Sequence, residues 1–360
     1  VADRRLAGPV RIVGTGLLGT SIGLALRERG VDVILDDVSP ASLDLAIDYG
    51  AGRHAGSADE PELVIVCVPP DVTARVVAAE LAAHPAAIVT DVASVKVAPL
   101  DELRAAGADI SRYIGSHPMA GRERSGAISA RADLFIGRPW VIASEASGGS
   151  ALVEQLALDL GAQPIQMSAG EHDRNVALVS HAPQLVSTLL ARRLGGAADS
   201  AVSLAGQGLR DTTRIASSDP ELWVQILGAN AAPVAEVLRA LRTDLDAVLV
   251  ALDDPTAPGA RRTLAETLAG GNAGVARIPG KHGQANHFSQ IVVKVDDKPG
   301  ELARLLTDIG AAGVNMEDLR LEHSPGAQIG LAEIAVLPEV EERLASELES
   351  RGWKIAGAFA

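Results

Sequence analysis

The sequence predicts a chain in three parts: an α/β domain on a doubly wound parallel sheet, an all-helical segment, and a small α+β module. Three observations carry this. Short apolar runs alternate with helical segments from residue 10 to about 167, helical periodicity dominates from Ser168 to Ala269, and strand patterns return after residue 288. The expected boundaries are therefore 1–167, 168–269, a Gly- and Asn-containing linker over 270–287, and 288–360.

In the first part the strand candidates are Val10 to Val13, Val31 to Leu35, Leu63 to Val68, Ala87 to Thr90, Tyr113 to Gly115 and Trp140 to Ala143. The first runs into Gly14-Thr15-Gly16-Leu17-Leu18-Gly19 and then a helical segment, Thr20 to Arg29. That is G-x-G-x-x-G between a strand and a helix. Gly14 makes the tight turn, Gly16 lets backbone approach a pyrophosphate, Gly19 lets helix and strand pack closely, and the helix N-terminus offers N–H groups. A Rossmann-type dinucleotide site follows, with Leu17 and Leu18 at its helix start. The second strand ends in Asp36-Asp37, where a carboxylate accepts from ribose hydroxyls and repels a 2′-phosphate, which favours NAD over NADP. Asp37 is the better placed of the two. Val68-Pro69 and the loop from Thr90 to Lys96 also leave strand ends, so both reach the edge where open α/β sheets bind ligands.

Within the helical part, Glu171 to Leu194 is apolar almost all round, with a kink expected at Pro183. Pro220 to Val250 carries Trp223, Leu227, Val234, Leu238, Leu241, Leu245 and Val248 at near-helical spacing. Helices apolar on most faces need burial on most faces, which predicts packing against a second subunit, hence a homodimer. The last part reads as strand (Ser289 to Val295), turn (Asp296 to Gly300), helix (Glu301 to Ala312), a turn at Gly313 to Met316 into a second strand, and a further strand over Ile329 to Leu337.

Composition narrows the function classes. The 360 residues hold 46 acids against 32 Lys and Arg, a formal charge of −14, which disfavours nucleic acid or an anionic membrane as partner. The one cysteine, Cys67, lies in an apolar strand and reads as core. The eight histidines are dispersed, with no metal-binding spacing, so no metal is expected. No long apolar run and no signal-like N-terminus appear, which makes the cytoplasm the expected location.

Ser116-His117-Pro118-Met119-Ala120-Gly121 lies downstream of the dinucleotide signature, where a dehydrogenase needs a proton acceptor. Together with the glycine fingerprint, Asp91-Val92-Ala93-Ser94-Val95-Lys96, Glu171-His172-Asp173, Ser180-His181 and Arg210-Asp211-Thr212-Thr213-Arg214-Ile215-Ala216, it resembles the prephenate dehydrogenase family over about residues 10 to 250. Asp297-Lys298-Pro299-Gly300-Glu301-Leu302 resembles an ACT domain, an amino-acid-sensing module.

The resemblance implies NAD-dependent oxidative decarboxylation of prephenate, with arogenate as the alternative substrate. A non-catalytic sensor of NAD and an amino acid is the more remote reading. The resemblance also implies His117 as base, apt because an imidazole with an ordinary pKa of about 6.5 accepts a proton near neutrality. Ser94 would bond both substrate hydroxyl and His117, and Arg214 would fork onto a substrate carboxylate, with Arg210 bracing its loop. His181 and Gly208 would line the pocket, although His181 also reads as a core histidine. Lys96 would add positive potential, although a loop lysine is more often exposed. His172 reads as a cap or subunit contact and Trp223 as helix packing. Gln207, in place of a small residue, either alters carboxylate recognition or points outward. In the last part, tyrosine would bind near Asp297, Gly300 and Leu302, with Asn315 facing them.

Overall fold

The computed structural model describes residues 5–121, 126–143, 150–278, 288–323 and 329–359. The apolar runs form strands and the stretches between them helices. In chain order these are β1 (Val10–Val13), α1 (Leu17–Glu28), β2 (Val33–Asp36), α2 (Pro40–Asp48), β3 (Arg53–His54), β4 (Leu63–Val66), α3 (Pro70–Ala83), β5 (Ile88–Asp91), α4 (Val97–Ala105), β6 (Tyr113–Pro118), β7 (Pro139–Ala143), α5 (Ser150–Asp159) and β8 (Gln163–Gln166). Helices follow: α6 (Ala169–Val176), a π-helical turn (Ala177–His181), α7 (Ala182–Leu194), α8 (Asp199–Val202), α9 (Gln207–Thr213), α10 (Pro220–Ala229), α11 (Ala231–Asp253) and α12 (Ala260–Val275). The chain closes with β9 (Ser289–Asp296), α13 (Glu301–Ala311), β10 (Asp318–His323), β11 (Ile329–Val336), α14 (Pro338–Ser350) and β12 (Lys354–Phe359).

Packing divides these into two units, Val1–Ala197 with Thr212–Leu241, and Ala198–Asp211 with Arg242–Ala360. The first holds an eight-stranded sheet in the order β3-β2-β1-β4-β5-β6-β7-β8. Its reversal between β1 and β4 is the switch point of a Rossmann-like sheet, where loops diverge and open a crevice at the carboxyl edge. Strand β4 is buried along its whole length and β1 nearly so. That burial on both faces is why these runs read as continuous Val and Ile rather than as alternation. Leu6, Ile12, Ile22, Leu26, Ile65, Phe135 and Trp140 anchor one core, and Val64, Val77, Val89 and Leu103 another.

The expected all-parallel sheet needs one correction: β7 runs antiparallel to β6, pairing His117 with Val141 and Ser116 with Ile142. A parallel neighbour needs a crossover element of a dozen or more residues, usually a helix. The described part of the β6–β7 connection holds only a 3-10 turn, Ala127–Ser129, so the chain returns directly from the carboxyl edge. Strands β3 and β8 also extend the sheet beyond the predicted set.

The stretch from Glu171 to Leu194 is interrupted before Pro183, not at it. The π-helical turn Ala177–His181 precedes Pro183, which sits in the first turn of α7, where its missing N–H has no intrahelical partner to lose. Helix α12 runs on through Gly270 and Gly271 to Val275, so the linker does not start at 270. Its 279–287 portion lies outside the described residues.

In the second unit, β10-β11-β9-β12 form a four-stranded sheet whose pairings are all antiparallel. Its core is Ile291, Val293, Leu305, Ile309, Ile334, Leu344 and Leu348. Arg304 lies 3.8 Å over the Trp353 ring, and the Trp353 indole N–H donates to Asp308 at 2.8 Å.

Candidate active site

The carboxyl edge of the first unit's sheet gathers most of the predicted site residues. Gly14 turns with φ +100°, and an added Cβ would stand 2.4 Å from the Cys67 carbonyl oxygen and 3.3 Å from Val68. Gly19 is as constrained, since its Cβ would meet the Gly14 oxygen at 1.9 Å. Gly16 is exposed, and a Cβ there would touch nothing within 4 Å. Helix α1 starts at this glycine without a side-chain cap, which leaves its first N–H groups for a ligand. Two glycines thus close the turn and the third faces open space, which fits a dinucleotide's pyrophosphate. Leu17 and Leu18 begin the helix half-buried, with Leu18 packed on the core.

At the end of β2 the two acids differ. Asp36 is paired with Arg11 at 2.6 Å, and Arg11 also meets Glu80 at 2.9 Å. Asp37 accepts from the Thr15 N–H and hydroxyl at 2.7 and 2.9 Å, and from the Ser39 N–H at 2.8 Å. It therefore ties the glycine loop to the second strand. Pro69 and Val68 follow β4, next to that turn.

The second constellation centres on His117 in β6. Its Nδ1 stands 2.9 Å from His172 Nε2, and His172 Nδ1 stands 2.7 Å from Asp173 Oδ1. Asp173 also accepts the backbone N–H of Lys96 at 2.8 Å and of Val97 at 2.9 Å, so it caps α4 from a distant helix. Burial pushes the Asp173 carboxyl up, but the hydrogen bonds from His172, Val97 and Lys96 override it and hold the group below its ordinary range. His117 is pulled well below the usual imidazole range, first by burial and then by its electrostatic neighbours His172, Lys96 and His181. At neutral pH its imidazole is unprotonated.

His181, at the end of the π-helical turn, is buried and pulled down to about 4, mainly by burial. Its Nδ1 stands 3.1 Å from Asn230 Nδ2, which donates to the Asp173 carbonyl at 2.8 Å. Trp223 meets the His181 ring edge-on, with centroids 6.0 Å apart. His181 is thus neutral and braced.

Lys96 departs from the surface lysine expected. It is 1% exposed, and its ammonium pairs with Asp91 and donates to the Ser116 carbonyl at 2.6 Å. Tyr113 donates its hydroxyl to the other Asp91 oxygen at 2.6 Å. Burial draws Lys96 below its ordinary range against the opposing pull of Asp91. With its ammonium held by Asp91 and the Ser116 carbonyl, Lys96 ties the loop after β5 to β6. Ser94 is half-buried on that loop, and among the described residues no hydrogen bond joins it to His117. The imidazole is held by His172 instead.

Arg214 opens a 3-10 turn, Arg214–Ala216, packed against α7, and it is exposed. Gln184 on α7 donates to Ser218 just after the turn at 2.6 Å. Gly208 and Arg210 fall in α9, within the second unit. Gln207 directs its amide to Asp211 at 2.8 Å, an exposed contact one turn along the helix. In the C-terminal module, Gly300 turns with φ +92° at the start of α13, Leu302 packs on the core, and Asp297 and Asn315 are exposed.

The sequence reading takes His172, with its acidic neighbours, as a cap or subunit contact, and assigns no role to Asp91 or Asn230. The signal for His172 and Asp173 was a His-Asp pair in the first turns of a helix, on its buried face. Among the described residues no group of acids, histidines and cysteine is arranged to hold a metal ion, and no helix is long and apolar enough to cross a membrane.

Two family models match the chain: the prephenate dehydrogenase nucleotide-binding domain over residues 22–163, and the prephenate dehydrogenase dimerization domain over residues 168–268. The probable prephenate dehydrogenase NovF of Streptomyces niveus is 39% identical over 95% of this chain and 98% of its own length. Among solved structures, prephenate dehydrogenase from A. aeolicus in complex with hydroxyphenyl propionate and NAD+ matches with TM-score 0.66 and 26% identity. That match covers 76% of this chain and all of the other. Synechocystis arogenate dehydrogenase matches with TM-score 0.60 and 28% identity, over 74% of this chain and 99% of its own.

Proposed function

The chain belongs to the prephenate dehydrogenase family, and from that premise we propose that it catalyses the NAD-dependent oxidative decarboxylation of prephenate to 4-hydroxyphenylpyruvate. The observation that carries this reading is an unprotonated His117 at the sheet edge that also bears the open glycine turn. NAD bound along that turn would supply the hydride acceptor. His117 takes the proton of the ring hydroxyl through Nε2 as the hydride departs from the carbon bearing it. The bond from the ring to its carboxylate then breaks, its electron pair enters the ring, and carbon dioxide leaves. The ring oxygen recovers a proton as the ring becomes a phenol.

Ser94 would meet the substrate hydroxyl from the loop after β5, and Arg214 one of the two carboxylates. Neutral His181 would line the pocket, and Asp37 would accept from the adenosine ribose. Arogenate is the second reading, favoured by the likeness to Synechocystis arogenate dehydrogenase.

A homodimer is part of the proposal. Helix α7 leaves Val186, Leu189 and Leu190 exposed, and α11 leaves Leu241, Leu245, Leu249 and Leu252 exposed along one stripe. A second copy would cover these apolar faces. The C-terminal βαββαβ module would be an ACT domain that binds tyrosine as feedback inhibitor at the Gly300 turn, and the enzyme would work in the cytoplasm.

The test is NADH formation with prephenate and with arogenate, for wild type and His117→Asn, with and without tyrosine. Turnover of prephenate that falls about 10⁴-fold in the variant supports the reading, that being the upper range for loss of a proton-transfer group. Turnover of arogenate alone moves the substrate to the amino analogue. Turnover of neither, with tyrosine and NAD still bound, replaces the enzyme with a sensor.

A further inference from the structure

We propose that Asp173 and His172 are positioning residues that fix the tautomer of His117, keeping its Nδ1 protonated and its Nε2 free to accept a proton. This inference rests on the assignment of His117 as base. It follows from donor and acceptor bookkeeping along one line of groups.

An ionised carboxylate only accepts, so the His172 nitrogen 2.7 Å from Asp173 carries the hydrogen. With its hydrogen on Nδ1, His172 presents a lone pair at Nε2. The His117 nitrogen 2.9 Å from that lone pair donates to it, which leaves His117 Nε2 as the only unprotonated ring nitrogen of its imidazole. Asp173 is fixed in turn by the N–H groups of Lys96 and Val97, and its backbone carbonyl by Asn230. Among the described residues, the charged and titratable groups acting on His117 are His172 from α6, His181 from the π-helical turn and Lys96 from the loop after β5, with Asp173 bonded to His172, Asp91 to Lys96 and Tyr113 to Asp91. Of these only His172 hydrogen-bonds the His117 ring among the described residues. When His117 accepts a proton at Nε2, its Nδ1 proton can shift toward His172, and the charge is met by Asp173.

The same carboxylate caps α4, the helix that follows the loop carrying Ser94. The base and that loop therefore share one anchor. Replacing Asp173 by Asn breaks the line: an amide nitrogen in the Oδ1 place faces both His172 Nδ1 and the Lys96 N–H, so that cap of α4 is lost as the hydrogen moves to His172 Nε2, and His117 is left protonated on its reacting nitrogen.

The full chain labelled with ¹⁵N-histidine reports tautomers directly by NMR, with His117→Asn and His172→Phe assigning the two signals. The expected wild-type state is Nδ1–H at both rings, and Asp173→Asn switches both to Nε2–H. In initial rates, Asp173→Asn lowers kcat about 10³-fold, within the range for a lost general base, while the prephenate KM barely moves. His172→Phe keeps ring volume and leaves the α4 cap intact. It lowers kcat about 10²-fold and shifts the acid limb of the kcat/KM profile. NAD affinity and melting temperature, measured on each variant, separate this from misfolding.

The proposal is overturned if wild-type His117 carries its hydrogen on Nε2, or if His172→Phe keeps the wild-type pH profile and kcat. A tautomer line seen by NMR in a protein that turns over neither prephenate nor arogenate keeps the positioning and discards the substrate assignment.

Discussion

The glycine turn and the histidine cluster occupy the same edge of one sheet, yet they are built in opposite ways. At the turn the working groups are backbone: Gly14 and Gly19 are small because carbonyls crowd them, and Gly16 is small because nothing does. In the cluster the working groups are side chains drawn from three separate segments, held by a carboxylate that accepts from two backbone N–H groups and a ring. A local constraint writes itself into adjacent residues. An assembled constraint leaves only scattered polar residues in apolar surroundings.

Breaking the buried ion pair beside the cluster should therefore cost folding, and filling the open glycine of the turn should cost binding. The largest expected effect is at Asp91. Its replacement by Ala leaves the Lys96 ammonium buried without its partner, and urea unfolding should show a loss of about 3–5 kcal/mol. The double variant Asp91→Leu, Lys96→Met should recover most of it, because no charge is then stranded. At the turn, Gly19→Ala pushes a methyl into the Gly14 carbonyl and should cost about 1–3 kcal/mol of stability along with NAD affinity. Gly16→Ala should leave the melting temperature unchanged and weaken NAD binding about tenfold or more in a fluorescence titration, since its methyl fills only the space the pyrophosphate needs.

A pH series sharpens the same contrast. His181 has its pKa lowered from 6.5 to about 4, so between those values the unfolded chain binds more protons than the folded one. Its contribution to stability is intact above about 6.5 and is lost as pH falls toward 4. His181→Gln should flatten that part of the stability–pH curve in denaturant titrations and leave the neutral end of the slope alone. The smallest effect belongs to Gln207→Ala. Its exposed bond to Asp211 is worth under about 0.5 kcal/mol, and stability and prephenate KM should both stay at wild-type values.

The contrast also explains what the sequence made legible. The β1–glycine–α1 unit and Asp37 were readable because each glycine answers a neighbour close in sequence or one strand away. The direction of β7 was not, since an apolar run such as Trp-Val-Ile-Ala carries no sign of which way its neighbour runs. Helix α12 passed through Gly270 and Gly271 because propensity penalises a helical glycine by only about 1 kcal/mol, a cost that the rest of a 16-residue helix absorbs. Lys96 looked exposed because its partner, Asp91, sits five residues earlier at the buried end of a strand, and burial of a charge is decided in three dimensions. His172 stayed in the background for the same reason: its neighbour in space, His117, is 55 residues away.

The π-helical turn between α6 and α7 has a consequence for length variation. Such a turn holds one more residue than an α-helical turn occupies, so the helix before it and the helix after it are out of phase by about 100° relative to an unbroken helix. Deleting a single residue among Ala177, Leu178, Val179 and Ser180 would leave both helices intact and continuous. It would also rotate one against the other, carrying the His172 and Asp173 face away from Asn230 and Trp223. Between these helices the chain can change its side chains more freely than its residue count.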